Sequence, residues 1–213
     1  MKNNQLHFIE YVKGFAEENK CHIWLSGSFS SGTATLYSDV DISACCNNEH
    51  LNRLIYGYGK PVYISHTHKP FGILIIIYED GVAVDLEVIE SIDSSDSEFF
   101  HIDDIKLYDY RRNEKVCKEF SLRDDMHYQI SRLFHRSLIK FLSGKQDMGV
   151  SIANELAIFI NGNISIDKVN YKNSIVGILK VYNDQYKLPL EYFAILCKLI
   201  EKLDEKMVRK EDN

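Results

Sequence analysis

The chain has 213 residues, enough to bury a sizeable core as one domain or two small ones. Its formal net charge of -6 and pI near 5.8 argue against a broad electrostatic footprint for long nucleic acid and leave room only for a local basic groove. Five cysteines (Cys21, Cys45, Cys46, Cys117 and Cys197) are an odd number without Cys-x-x-Cys spacing, so neither a disulfide framework nor a zinc site is indicated, and reduced thiols are expected.

Phe8, Ile9, Val12, Phe15 and Ala16 recur at helical spacing and predict an amphipathic first helix packed on a sheet. An apolar strand over 21–25 runs into Gly27-Ser28, and a second strand carries Asp39 and Asp41. A short helix over 48–56, a Gly-containing turn at 58–60 and a strand over 62–65 follow. Residues 73–78 and 82–89, joined by Glu79-Asp80-Gly81, read as a β-hairpin. From Ser121 the period becomes helical: Ser121-Leu122-Arg123-Asp124 has the form of an N-terminal cap, and Met126, Ile130, Leu133, Phe134 and Phe141 form the apolar stripe. Ser143-Gly144 ends that helix, and three more are expected near 150–160, 169–186 and 190–207, punctuated by Gly162 and Pro189. The class is therefore α+β, with a mixed-sheet domain over 1–115 and a helical bundle over 116–213.

No charged-then-apolar leader pattern opens the chain, and the run Ile73 to Ile77 is too short to span a bilayer. A soluble, cytoplasmic protein without a membrane partner is expected, in which the sequon Asn163-Ile164-Ser165 has no glycosylation meaning.

The chemistry concentrates between Leu25 and Ile42. At Gly27 the missing side chain lets backbone N–H groups approach phosphate oxygens, and the Ser28 hydroxyl adds a donor. Asp39 and Asp41, one residue apart on a strand, project to one face while Val40 and Ile42 turn to the other. Two adjacent carboxylates suit Mg²⁺, which takes its remaining ligands from water and phosphate. In the later strand Val82, Val84, Leu86 and Val88 mark one face and leave Asp85 and Glu87 on the other. A metal is a physical reason for an acid at Asp85, since burial without a cation would cost several kcal/mol.

Gly27, Ser28, Gly32, Thr33, Ser38, Asp39 and Asp41 together resemble the signature of the DNA polymerase β-like nucleotidyltransferase superfamily. The resemblance implies a mixed-sheet catalytic core in which Gly27, Ser28 and Ser38 bind the nucleotide and Asp39 and Asp41 bind metal. Asp85 would be the third carboxylate, as metal ligand or general base, with Glu87 in reserve. Ser31 stands where many members carry Arg or Lys, which removes a phosphate contact. The helical extension resembles that of aminoglycoside and lincosamide nucleotidyltransferases. That likeness implies transfer of AMP from ATP to a small-molecule hydroxyl with release of pyrophosphate, and it is compatible with a homodimer. A protein-modifying or antitoxin-type nucleotidyltransferase and a catalytically silent nucleotide-binding module are the alternatives.

Residues 91–104, with Asp93, Asp96, Glu98, Asp103, Asp104 and the aromatics Phe99 and Phe100, read either as an acidic lip for a polycationic acceptor or as a solvated connector. Arg132, His135 and Arg136 share one helical face, which either contacts triphosphate or is simply exposed. His66-Thr67-His68 reads as an ordinary strand end, Cys45-Cys46 as packing, and Trp24 as core rather than a base-stacking platform.

Overall fold

The computed structural model describes residues 2–67, 73–89, 105–108, 125–160 and 164–211. The chain divides into two compact units, Met1–Leu122 and Arg123–Asn213. The anticipated boundary at 115/116 lies outside the described residues, as do the acidic 91–104 segment, Ser121 to Asp124, His68, Cys117, Gly162 and the Asn of the sequon.

The first unit opens with α1 (Lys2–Asn19), followed by β1 (His22–Ser26), the single turn α2 (Gly27–Ser30), β2 (Val40–Cys45) and α3 (Asn48–Tyr58). Strands β3 (Pro61–His66), β4 (Leu74–Tyr78), β5 (Ala83–Val88) and β6 (Ile105–Tyr108) complete a six-stranded sheet of order β3-β4-β5-β2-β1-β6. The sheet is mixed: β2 and β5 run parallel and every other pairing is antiparallel. The β4–β5 hairpin turns at Gly81, whose φ of 86° lies in the left-handed region, and the Asp80 carboxylate accepts the Val82 N–H at 3.1 Å.

Period-two patterning decides which face of the sheet is covered. Ile23, Leu25, Ile42, Ala44, Val84 and Leu86 point to one side and are buried with Phe8 and Val12 of α1 and Leu51 and Leu54 of α3 in a single apolar cluster. Tyr58 stands edge-on to Phe8 at 4.9 Å and to Tyr78 at 5.0 Å, and Tyr78 donates its hydroxyl to the Ile55 carbonyl at 2.8 Å, tying α3 to the sheet. The first helix and the hairpin are therefore where periodicity placed them. Helix α3 runs two residues beyond the expected 48–56, through Gly57 and Tyr58.

The second unit consists of α4 (Met126–Leu142), α5 (Gln146–Ile160), α6 (Tyr171–Tyr186) and α7 (Leu190–Glu211). The α+β class with a mixed sheet and C-terminal helical bundle is thus the architecture found. Among the described residues the cap of α4 is Asp125 rather than Ser121: its carboxylate accepts the His127 N–H at 2.9 Å, satisfying a donor the helix leaves open. Ser143 and Gly144 end α4 as expected, Gly144 with φ 97°. His135 and Arg136 divide the basic cluster, since His135 is buried and Arg136 exposed; an apolar stripe centred on Phe134 and Leu138 sweeps His135 inward.

Helices α4 and α5 approach closely at Gly149, where an added Cβ would lie 2.8 Å from Phe141 Cβ and 2.9 Å from both the Phe141 nitrogen and the Ser137 carbonyl oxygen. Ser137 donates to the Gly149 carbonyl at 2.8 Å and shares a hydrogen bond with Tyr171 at 2.7 Å, so the crossing is also a buried polar node. Two of the obstructing atoms are backbone and cannot swing aside. Gly149→Ala is expected to destabilise this unit by about 1–3 kcal/mol, to be measured by urea unfolding against Gly177→Ala, where an added Cβ meets nothing within 4 Å. Among the described residues no helix is long and apolar enough to cross a membrane.

Candidate metal and phosphate site

The site grows from the ends of β1, β2 and β5. Asp39 immediately precedes β2 and Asp41 is its second residue. In the parallel ladder Asp41 pairs with Asp85 and the next same-face pair is Ser43 with Glu87. Because directly paired residues share a face, the register that buries Val84 and Leu86 beside Ile42 also brings Asp85 beside Asp41.

Asp39, Asp41 and Asp85 each offer a carboxylate oxygen, and the three oxygens lie within 4.8 Å of one another on half-buried side chains. Among the described residues this is the one group of three or more His, Cys, Asp or Glu donors that converges so closely. Three anionic oxygen donors at that spacing repel in the absence of positive charge and fit a hard divalent cation. The donor set therefore suits a metal ion such as Mg²⁺.

Beside the carboxylates runs the Gly27 turn. Ser26 pairs with Asp41 across β1 and β2, so the residue after Ser26 is brought against the Asp41 side chain. A Cβ on Gly27 would sit 2.1 Å from Asp41 Oδ2 and 2.8 Å from its Cγ, and Gly27 has φ 66°. Glycine is thus required twice, by conformation and by the carboxylate lying against it. The turn is tightly bonded: the Ser31 N–H donates to the Gly27 carbonyl at 3.1 Å, the Ser30 and Ser31 hydroxyls donate to the same oxygen at 3.0 Å, and the Thr33 N–H reaches the Ser28 carbonyl at 2.9 Å. Ser31 also shares a hydrogen bond with Thr33 at 2.9 Å. The Ser28 hydroxyl makes no hydrogen bond among the described residues.

Ser38 has a local task. Its hydroxyl accepts the Thr35 N–H at 2.9 Å, its N–H reaches the Thr35 carbonyl at 3.2 Å, and its own carbonyl accepts from the Gln5 side chain on α1. Ser38 thereby fixes the turn that delivers Asp39. Glu87, exposed, accepts a hydrogen bond from Ser43 Oγ at 2.9 Å. Ser43 was not singled out from sequence, although once Asp41 is paired with Asp85 the register leads to it directly. Trp24 pairs with Ser43 on the other side, is buried as expected, and stacks on His22 with ring centroids 5.4 Å apart.

No protein-family model matches the chain, and no curated protein sequence does so either. Among solved structures, the Thermotoga maritima CCA-adding enzyme complexed with tRNA is similar at 15% identity and a TM-score of 0.35, over 91% of this chain and 50% of that one. The chain spans half the length of that enzyme.

Proposed function

We propose that this chain is a metal-dependent nucleotidyltransferase that moves a nucleoside monophosphate, AMP from ATP in the first instance, onto an acceptor hydroxyl and releases pyrophosphate. The observation that carries the reading is the convergence of Asp39, Asp41 and Asp85 within 4.8 Å beside a glycine turn too close to Asp41 to admit a side chain. A purely structural strand pair has no need to set three carboxylates together.

In this reading Asp39 and Asp41 hold Mg²⁺, with Asp85 as a further ligand or as the base that takes the acceptor proton. When bound, Mg²⁺ supplies positive charge to the triphosphate and favours ionisation of a hydroxyl. Gly27 and Ser28 bind the β and γ phosphates through backbone N–H groups and the Ser28 hydroxyl, holding the chain of phosphates so that an oxygen can approach the α phosphorus in line with the departing pyrophosphate. Ser38 contributes by keeping Asp39 in place. Glu87, next along the same face, is the reserve acid for proton transfer.

For the acceptor we propose a small hydroxylated molecule of the aminoglycoside or lincosamide class. The support comes from the sequence: the helical unit after the sheet and the acidic stretch from Asp93 to Asp104. The test is incubation of the purified chain with each α-labelled nucleoside triphosphate, Mg²⁺ and a panel of aminoglycosides, lincosamides and candidate proteins, followed by chromatography and mass spectrometry. Label on a drug with stoichiometric pyrophosphate is the expected result. Label on a protein side chain would replace the acceptor class, and the absence of both pyrophosphate release and triphosphate binding with every nucleotide would overturn the reading.

A further inference from the structure

Helix α1 covers the sheet with one face, along which Gln5, Phe8, Val12 and Phe15 follow one another at helical spacing. Phe8, Val12 and Phe15 are apolar core, but the stripe opens on an amide: Gln5 is 4% exposed, whereas its neighbour Leu6 is 47% exposed. A buried amide in an apolar stripe costs stability unless its polar atoms are used. Gln5 uses one of them. Its Nε2 donates to the Ser38 carbonyl, while Oε1 has no hydrogen-bond partner among the described residues. The reversed amide would set two oxygens against each other, so the donor faces Ser38.

Ser38 is the residue before Asp39, and its carbonyl belongs to the peptide plane that joins the two. Asp41 and Asp85 are opposite each other in the parallel ladder, and Asp41 is also paired with Ser26. Asp39 lies before that register, which begins at Val40, so its backbone is placed by the turn over 35–38 instead. Within the turn the Thr35 N–H reaches Ser38 Oγ at 2.9 Å and the Ser38 N–H reaches the Thr35 carbonyl at 3.2 Å, while Leu36 near its tip is 51% exposed. Those two bonds set the shape of the turn, and the bond from Gln5 ties it to a helix anchored in the core. Because the three carboxylates repel one another when no cation is present, the one outside the ladder is the one most easily pushed away.

We propose that Gln5 is a positioning residue for Asp39: by holding the Ser38 carbonyl against α1 it keeps the third carboxylate in place for a divalent cation. This deepens the proposed function and rests on the reading of Asp39, Asp41 and Asp85 as a cation site. A neutral amide suits the task. Gln5→Glu would set an anion against the carbonyl oxygen, and Gln5→Lys would bring a positive charge that competes with the metal.

The test is Mg²⁺ binding by calorimetry on the full chain without nucleotide, beside urea unfolding of the same proteins without Mg²⁺. In Gln5→Met, which keeps the length of the side chain but has no donor, Kd for Mg²⁺ is expected to rise about tenfold or more, the usual scale for losing a group that orients a metal ligand. Asn4→Ala is the control. Asn4 Nδ2, in the same turn of α1, donates to the Asp80 carbonyl in the β4–β5 turn at 3.2 Å, and its loss should leave Kd unchanged. Gln5→Asn, whose amide stops one methylene short, should weaken binding as well and replaces Gln5→Met if that variant fails to fold by circular dichroism. A parent-like Kd in the folded variant, with only its stability lowered, would make Gln5 a core residue and overturn the inference while leaving the cation site standing. An equal loss of affinity in Asn4→Ala would overturn it too, because the seating of α1 as a whole would then govern the site. A parent chain that binds no Mg²⁺ would remove the inference together with the reading on which it rests.

Discussion

Asp41→Asn is expected to reduce nucleotidyl transfer by about three orders of magnitude or more, because it removes a charge worth several kcal/mol to the phosphoryl chemistry, while making the metal-free protein more stable. The second half of the expectation follows from the same geometry. Carboxylate oxygens within 4.8 Å of one another repel by roughly 1–3 kcal/mol at the effective dielectric of a partly solvated site, and neutralising one removes that repulsion. Melting curves with and without Mg²⁺ separate the effects. The parent should melt lower without the ion and gain about 2.7 kcal/mol at an ion concentration near one hundred times Kd. Asp41→Asn should start higher and gain little. Asp39→Asn and Asp85→Asn should move in the same directions. An Mg²⁺ response as large in the three variants as in the parent would place the ion elsewhere, and full turnover by Asp41→Asn would remove the proposed chemistry altogether.

The second large effect is expected from Gly27→Ala, a change of one methyl group. The added carbon would fall 2.1 Å from Asp41 Oδ2, so either the carboxylate swings out of the triad or the turn opens. In addition, an alanine at φ 66° bears left-handed strain of about 1–2 kcal/mol. Gly32→Ala supplies the control: Gly32 has φ 71°, but an added Cβ there meets nothing within 4 Å, leaving strain without collision. Gly32→Ala should lose only the strain, and Gly27→Ala that strain and the collision besides. Only Gly27→Ala should lose Mg²⁺ binding by calorimetry, and with it transfer. Equal Mg²⁺ affinity in the two variants would show that the turn does not govern the position of Asp41. Because the substitution disturbs a carboxylate as well as the phosphate turn, loss of triphosphate affinity in it has two causes, and Ser28→Ala is the cleaner probe of phosphate contact.

Much of this was legible in the chain because the relevant signals are local and periodic. Alternation about Val40 and Ile42, and again through Val82, Val84, Leu86 and Val88, assigns Asp39, Asp41 and Asp85 to the opposite face of their strands from these apolar residues before any pairing is known. The hairpin is announced by Glu79-Asp80-Gly81, and the first helix by the spacing of Phe8, Val12 and Phe15. The start of α4 is fixed by Asp125, whose carboxylate accepts the His127 N–H, while the cap expected at Ser121 to Asp124 lies outside the described residues.

What the amino-acid order could not express is pairing between distant segments. Alternation says which side of a strand Asp85 occupies but not that β5 lies parallel to β2 with Asp85 opposite Asp41; that register emerges when Val84 and Leu86 pack beside Ile42 over α1 and α3. The same ladder joins Ser43 to Glu87, and its antiparallel neighbour sets Gly27 against Asp41 and His22 opposite Cys45. Residue types and their period are written into the backbone's own geometry, so they assign faces and turns. Distances between carboxylates 44 and 46 positions apart in sequence follow only from which strand the hydrophobic core forces beside which.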